Sequence, residues 1–146
     1  FVTSTASLIP LATGTHYTAT VAPGALASGC NNLAFVRDVS YPSGTAVSPG
    51  DSITKTWKVA NNGTCDWLYQ YSIELLSANY RVSGSIKLGR LVAINDWAEL
   101  SVNLDVPENP GTYTSYWRLS DGAGNMFGST LEASIVVGPP TSTPEP

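Results

Sequence analysis

Residues 98–106 are Ala-Glu-Leu-Ser-Val-Asn-Leu-Asp-Val, a strict alternation of apolar and polar side chains. Because successive side chains of a β-strand point to opposite faces, this alternation predicts a strand with one buried and one solvated face. Residues 113–119, Tyr-Thr-Ser-Tyr-Trp-Arg-Leu, repeat the pattern with Tyr113, Trp117 and Leu119 on one face. Both segments therefore predict half-buried strands of antiparallel sheets.

Further strands are predicted on both sides of these segments, separated by short turns. The predicted strands are residues 33–39, 53–60, 69–76, 86–91 and 131–137, with turns at 41–45, 49–51 and 61–63. Short strands at regular spacing are typical of an immunoglobulin-like sandwich. In the strand at 53–60, Lys55 shares a face with Trp57, so we expect its amine to reach solvent or to lie at the rim.

The composition favours the same fold. Only 12% of the 146 residues are charged and 42% are hydrophobic, and no segment has apolar residues at helical spacing. The sequence predicts one all-β domain, an immunoglobulin-like antiparallel β-sandwich with an extended N-terminal arm. The net charge of −4 argues against nucleic acid as a partner. No apolar run reaches the roughly 20 residues of a transmembrane segment.

Three regions differ in composition. We assign residues 1–29 to the arm, 30–138 to the sandwich and 139–146 to a Pro/Thr-rich C-terminal tail. The arm has no Asp, Glu, Lys or Arg, and we expect it to pair with a sheet edge, because an isolated strand cannot satisfy its own backbone. The candidate assembly residues of the arm are Leu8, Ile9, Leu11, Tyr17, Ala19 and Val21. The chain begins with Phe1, as it would after removal of an export signal or in a truncated chain.

Two cysteines, Cys30 and Cys65, stand at the start and finish of the first predicted hairpin. A disulfide between them is geometrically plausible and would persist only in an oxidising compartment. A pair of buried free thiols is the alternative, because cysteine often serves as a small hydrophobic residue.

The sequence shows no catalytic apparatus. The single histidine, His16, lies in the arm, so we expect neither a His-dependent triad nor a multi-histidine metal site. Acidic residues on the polar face of strand 98–106 are interpreted as solvated surface charge rather than as a glycosidase pair. Residues 121–125, Asp-Gly-Ala-Gly-Asn, favour a hairpin connection over a calcium loop. We predict a non-enzymatic protein without cofactor or metal.

The aromatic residues fall into two groups. Three lie on inward faces and are predicted to form the core between the sheets: Trp57, Tyr113 and Trp117. Four others are candidate ligand or interface residues: Tyr69, Tyr80, Trp97 and Tyr116. A coplanar set of exposed rings would stack against sugars, whereas subunit packing or scattered surface exposure explains them equally well.

A series of motifs resembles a known family. The segments Lys55-Thr-Trp-Lys-Val-Ala-Asn-Asn-Gly-Thr-Cys-Asp-Trp67, Pro110-Gly-Thr-Tyr-Thr-Ser-Tyr-Trp-Arg-Leu119 and Phe127-Gly128 are similar, in order, to the four-tryptophan domain. That resemblance implies an immunoglobulin-like domain, known from a eukaryotic selective autophagy cargo receptor and from secreted or surface proteins of bacteria. Glu132 stands at about the place of the family's tryptophan in the final strand. The cysteine pair resembles the secreted bacterial type rather than the autophagy-receptor type.

These observations lead to a functional hypothesis. We expect an extracellular or cell-surface structural module, a subunit of a filament, pilus or array in which the arm adds as a strand to a neighbouring copy. The expected partner is thus another copy of the chain, in a homo-oligomer or homopolymer. The alternative is a carbohydrate- or protein-binding adhesion module of a secreted multidomain protein, with a glycan or surface protein as its partner.

Overall fold

A computed structural model describes residues 30–139 of the chain. The assembly residues predicted for the arm, Leu8 to Val21, lie outside these described residues, as does the tail after Pro139. The pairing predicted for the arm therefore stays a prediction. All of the following concerns the described part of the chain.

Eight strands and no helix are formed by residues 30–139. The strands are β1 Ala34–Asp38, β2 Thr45–Val47, β3 Ser52–Ala60, β4 Ser72–Ala78, β5 Ser85–Lys87, β6 Trp97–Asp105, β7 Gly111–Ser120 and β8 Met126–Val137. They form a three-stranded sheet with the order β1-β3-β6 and a five-stranded sheet with the order β2-β8-β7-β4-β5. The prediction of an all-β, immunoglobulin-like sandwich is confirmed, although β2 pairs with β8 in parallel.

The core lies between the two sheets and follows directly from the alternation in the sequence. In β6 the residues alternate between exposed and buried along the whole strand, with Ala98, Leu100, Val102 and Leu104 inward. The centre is occupied by Trp57 of β3 and Trp117 of β7, both fully buried, with ring centroids 6.4 Å apart. Both indole N–H groups have partners: Trp57 donates to the Glu132 carbonyl and Trp117 to the Ser115 hydroxyl, each at 2.9 Å. The two sheets therefore pack against each other through a pair of tryptophans whose N–H groups are both hydrogen-bonded within the protein.

A second aromatic cluster closes one end of the sandwich. Trp67 is fully buried and packs against Phe127 at 6.1 Å, and Tyr71 meets the same phenyl ring edge-on at 5.7 Å. The Trp67 indole N–H donates to the Asn32 carbonyl, and the Tyr71 hydroxyl donates to the Asn31 amide oxygen. This end of the core therefore depends on the segment immediately after Cys30.

Lys55 corrects the sequence-based expectation. Its side chain is 1% exposed, so it neither extends to solvent nor lies at the rim. The ammonium forms an ion pair with Asp38 and donates to the carbonyls of Ser40 and Tyr41, each at 2.9 Å. A buried ammonium is tolerated only when its protons are matched in this way. Tyr41 has a positive φ of 48° in the turn after β1, the turn whose carbonyls accept hydrogen bonds from the ammonium.

We predict that Lys55→Met will destabilise the domain by about 2 kcal/mol, because it leaves Asp38 and two carbonyls without their donor while Asp38 stays partly solvated. Lys58→Met, on the outer face of the same strand, should cost less than about 1 kcal/mol. Urea unfolding of both variants measures the difference. Equal urea midpoints for the Lys55 and Lys58 variants would contradict the role of Lys55 as a buried donor that stabilises the fold.

A disulfide joins Cys30 to Cys65, with the two Cα atoms 5.3 Å apart. It closes a loop between cysteines 35 positions apart in the sequence and attaches the start of the domain to the connection after β3. The Cys30 carbonyl also accepts the Thr64 N–H at 2.7 Å. The disulfide therefore holds in place Asn31 and Asn32, which accept the hydrogen bonds of the Tyr71 hydroxyl and the Trp67 indole.

We predict that the double variant Cys30→Ser, Cys65→Ser will lose about 2–4 kcal/mol of stability, because a loop of this length is then unconstrained in the unfolded chain. Thermal unfolding with and without reductant provides the measurement. Reductant should bring the unmodified chain to the midpoint of the double variant and leave the variant unchanged. A double variant as stable as the oxidised chain would refute the contribution of the disulfide to stability.

Candidate functional site

The four aromatic residues expected at a ligand or interface site do not form one set. Tyr69 is 62% exposed in the connection before β4, and Trp97 is 36% exposed at the start of β6. Tyr116 is 40% exposed on β7, in the other sheet, so Trp97 and Tyr116 lie on opposite outer faces of the sandwich. Tyr80 is only partly exposed and packs edge-on against Tyr113 at 5.4 Å. A coplanar sugar-stacking platform is not present in this arrangement.

The core aromatics are placed as follows. Trp57 and Trp117 are fully buried, whereas Tyr113 is partly buried at the edge of the core. The Tyr113 hydroxyl donates to the Asn109 carbonyl at 2.6 Å, which holds the ring against the turn before β7. Trp67, which the sequence analysis did not assign to the core, is also fully buried.

Five large apolar side chains are exposed on the two connections joined by the Trp67–Val92 bridge and at the first residue of β6, and we call this set the corner patch. Its members are Leu68, Tyr69, Leu91, Ile94 and Trp97, with exposed fractions between 36% and 62%. They belong to two neighbouring connections, one before β4 and one before β6, together with the first residue of β6.

Alternation around two buried anchors explains two members of this patch, Leu68 and Leu91. Trp67 and Val92 form an antiparallel bridge, with hydrogen bonds in both directions at 2.9 and 3.0 Å. Both side chains point inward, at 0% and 3% exposure. The adjacent residues Leu68 and Leu91 are opposite each other in this register and must point outward. Two apolar residues in succession, Trp67-Leu68 and Leu91-Val92, were the sequence signal for this surface.

Polar groups surround the corner patch and fix its backbone. The Asp66 carboxylate accepts the Ile94 N–H at 3.0 Å, and the Lys58 ammonium lies 3.8 Å from the centroid of the Trp97 ring. Arg90 donates to the Glu99 carbonyl at 2.9 Å, which attaches the connection before β6 to the start of that strand. An exposed apolar area with a polar rim is typical of a protein-interaction surface.

A groove opens along the other part of β6. Its volume is about 620 Å³, and it lies between the end of β6 and the connection after β4. The lining includes Tyr80, Arg81, Asp105, Glu108 and Tyr113. Two acidic residues, one arginine and two tyrosines therefore line one groove. The Asp105 carboxylate also accepts the Ser52 hydroxyl at 3.1 Å, and the Glu108 carboxylate lies against Gly50.

A smaller cleft lies where the two sheets approach each other at β1. It has a volume of about 270 Å³ and is lined by Phe35, Asp38, Ser43, Thr130 and Glu132. Glu132, at about the position of the family's tryptophan, is exposed, while its carbonyl accepts the Trp57 indole. The hydrogen bond from Trp57 to this position is thus accepted by backbone, whatever side chain the position carries.

Two carboxylates outside these surfaces are held in their ionised form by local hydrogen bonds. The hydroxyls of Ser72 and Ser85 lower the pKa of Glu74. In the β7–β8 connection, Asn125 side-chain and backbone N–H groups, with a smaller contribution from the Ala123 N–H, lower the pKa of Asp121. These contacts stabilise the hairpin connection predicted for residues 121–125, and they engage Asp121 with protein donors.

Within residues 30–139, no three His, Cys, Asp or Glu side chains come together in a way that could hold a metal ion. No helix of sufficient length and apolar character to cross a membrane occurs in that range.

The family model described as "Ig-like domain from next to BRCA1 gene" matches residues 40–137. The chain belongs to this family of Ig-like domains. Its sequence is 33% identical over 116 residues to Protein JOKA2 of Solanum tuberosum, covering 76% of this chain and 13% of that protein. It is 34% identical over 118 residues to Next to BRCA1 gene 1 protein of Mus musculus, covering 79% of this chain and 12% of that protein. Protein ILRUN of Danio rerio is 26% identical over 100 residues, covering 68% of this chain and 35% of that protein.

Membership of this Ig-like family corrects four predictions. The secreted bacterial type is wrong, because the family model and the relatives in plants and animals are of the eukaryotic autophagy-receptor type. The extracellular or cell-surface location is wrong on the same ground, as are the filament or pilus subunit and the secreted adhesion module. The cysteine pair misled the prediction, because two Cα atoms 5.3 Å apart can be bridged in either type of domain.

The chain spans about one eighth of the length of the first two of these relatives, 13% and 12%. The matching segment is therefore one Ig-like domain of proteins that are several times longer.

Tyr80 gives a test of the groove geometry through pH. Burial raises the pKa of Tyr80, and the weak hydrogen bond with Ser115 lowers it by less. A raised native pKa means that stability is complete below the unfolded value of about 10 and falls as the pH rises above it. We expect Tyr80→Phe to reduce this alkaline loss and Tyr69→Phe, at an exposed position, to leave it unchanged. Urea midpoints at neutral and alkaline pH that shift equally in both variants would disprove the burial of Tyr80.

Proposed function

We propose that this Ig-like domain is a non-catalytic protein-recognition module of an adaptor of the autophagy-receptor type. The corner patch binds a partner protein through apolar contacts. The single observation that supports this most is the exposure of five large apolar side chains on two connections joined by the Trp67–Val92 bridge and at the start of β6, with polar groups beside them. Burial of such a surface is favourable at about 25 cal/mol per Å², which gives a reason for a partner to cover it.

The geometry of the patch fits a binding role. Its members stand on backbone fixed by the Trp67–Val92 bridge and by the bond from Ile94 to Asp66, so their positions are set before a partner arrives. Preorganised apolar anchors lose little conformational freedom on association. The Trp97 ring, held under the Lys58 ammonium, contributes a large aromatic surface of the kind that dominates binding energies.

The relatives support a role for the domain as one part of a larger protein. The matching segment makes up 13% of Protein JOKA2 and 12% of the mouse Next to BRCA1 gene 1 protein. An adaptor requires a separate domain that recognises a partner while other regions make other contacts. An Ig-like sandwich with an exposed apolar corner meets that requirement without catalytic groups.

We predict that the double variant Leu91→Ser, Ile94→Ser will abolish the binding of partner proteins to the corner patch. The domain should stay folded, because both side chains are 40% exposed or more. Proximity labelling with the full chain compares the sets of labelled proteins. The matched control is Leu76→Ser, Met126→Ser, a change of two equally exposed apolar residues elsewhere on the surface. Partners lost in the first variant and kept in the control support the proposal. A partner set that survives the first variant, or is lost equally in both, would refute it.

A further inference from the structure

Strand β6 has one side that is paired and one side that is free within residues 30–139. It is the last strand in the order β1-β3-β6, and its nine residues, Trp97–Asp105, pair with β3 without a bulge. The hydrogen bonds from Val106 to Asp51 and from Asn61 to Asp96 fix the phase of the ladder. In that phase the even-numbered residues of β6 bond to β3, and the odd-numbered residues direct their N–H and C=O groups away from it.

One outward group already has a partner, which supports this phase. The Glu99 carbonyl accepts the Arg90 guanidinium at 2.9 Å, so an odd-numbered carbonyl does point out of the sheet. Within the described part of the chain, no side chain bonds the outward backbone groups of Ser101, Asn103 or Asp105. The side chains of these three residues are exposed and lie on the outer face. A regular, unpaired edge of this kind is a template for an added strand.

The groove at the end of β6 indicates what the added segment carries. Asp105 and Glu108 line it, and neither forms an ion pair with a described residue, since the only such pair in that range is Lys55–Asp38. The Asp105 carboxylate accepts one neutral hydrogen bond, from the Ser52 hydroxyl at 3.1 Å, which leaves its charge uncompensated. The rings of Tyr80 and Tyr113 form part of the same lining. Carboxylates beside aromatic rings are complementary to an arginine or lysine side chain. Arg81 lines the groove as well, so the acidic excess there is one charge.

We propose that the free edge of β6 binds an extended segment of a partner protein by strand addition, with a basic side chain of that segment in the groove beside Asp105 and Glu108. The proposal rests on the proposed role of the domain in protein recognition, but it concerns a second surface with a different chemistry from the corner patch. Backbone bonds to Ser101, Asn103 and Asp105 hold the segment, and the groove selects its charge.

Charge favours a basic segment of a partner protein at the β6 edge over the arm of the same chain and over a second copy of the domain. Residues 1–29 of the chain contain no Lys or Arg, and their single titratable cation is His16, which is mostly neutral at pH 7, so they have no permanent cation to place beside the two carboxylates. A second copy joined edge to edge would bring another Glu99 and Asp105 to the same strand pair, and like charges close together destabilise the pairing. A basic segment from a different protein has neither disadvantage.

Hydrogen exchange of individual amides tests the strand addition without any substitution. The probe is a capped peptide of alternating threonine and valine that carries two arginines, added to the full chain. In the free protein, the Ser101 and Asn103 amides should exchange fast and those of Val102 and Leu104 slowly. Saturating peptide should slow the first pair about tenfold or more and leave the second pair unchanged. Unchanged exchange at Ser101 and Asn103 overturns the proposal.

The same experiment distinguishes the other occupants. Slow exchange at Ser101 and Asn103 in the free protein, independent of protein concentration, would indicate a segment of the chain itself and overturn the proposal. Slowing that increases with protein concentration would indicate a second copy and overturn it as well. A peptide with glutamates in place of the arginines, or with methylated alternate amides, should bind at least tenfold more weakly. Equal binding of either control peptide excludes the basic strand as the occupant.

A matched pair of variants tests the groove. Glu108→Gln should weaken the arginine peptide about two- to fivefold, as expected for one exposed ion pair, whereas Glu132→Gln, at an exposed position on β8, should not change it. Fluorescence anisotropy of the labelled peptide measures both affinities. Equal effects of the two substitutions overturn the assignment of the groove. The corner-patch variant Leu91→Ser, Ile94→Ser should keep peptide binding, so failure of one surface does not imply failure of the other.

Discussion

Trp57 of the three-stranded sheet and Trp117 of the five-stranded sheet meet at the centre of the sandwich, with ring centroids 6.4 Å apart. Neither indole is accessible to solvent, and each N–H needs a partner inside the protein. The Glu132 carbonyl supplies one, which fixes β8 beside the core, and Ser115 supplies the other. Gly84 is required by the same contact, because a Cβ there would clash with the Trp117 ring. The distance between the sheets is therefore set by two side chains and the groups that accommodate them.

The predictable part of the fold is the part that local alternation determines. Residues 98–106 and 113–119 alternate so regularly that the sequence assigns both the strand and its buried face, and the structure places them in β6 and β7. The short β2 was not predicted, because three residues carry no periodic signal and their pairing with β8 is a parallel contact far away in the sequence. Burial of Lys55 could not be predicted either, since its partners Asp38, Ser40 and Tyr41 come from a different strand and turn.

The candidate site was predictable only in part. Two of the four aromatics selected from the sequence, Tyr69 and Trp97, belong to the corner patch, but Tyr116 lies on the opposite face and Tyr80 lines the groove. Alternation tells which residues point outward and does not tell which sheet they belong to. Leu68 and Leu91 were missed because each stands beside a buried anchor, and a run of two apolar residues looks like core. The cysteine pair led to the prediction of an extracellular location, which the relatives do not support. Two cysteines that lie close together show proximity in the fold, and this does not identify the compartment.

The two edges of the three-stranded sheet differ in how far they are protected. The pairing of β1 with β3 shifts register between Phe35 and Arg37, which interrupts a regular row of backbone groups, whereas β6 pairs with β3 through nine residues without interruption. Such irregularities are a common protection against unwanted strand pairing, and the regular edge of β6 has none within residues 30–139. Arg90 covers only the first part of that edge, where the corner patch begins. The connection carrying Leu91 and Ile94 is thereby attached to β6, so the apolar corner and the open edge share one rigid support and can contact the same partner.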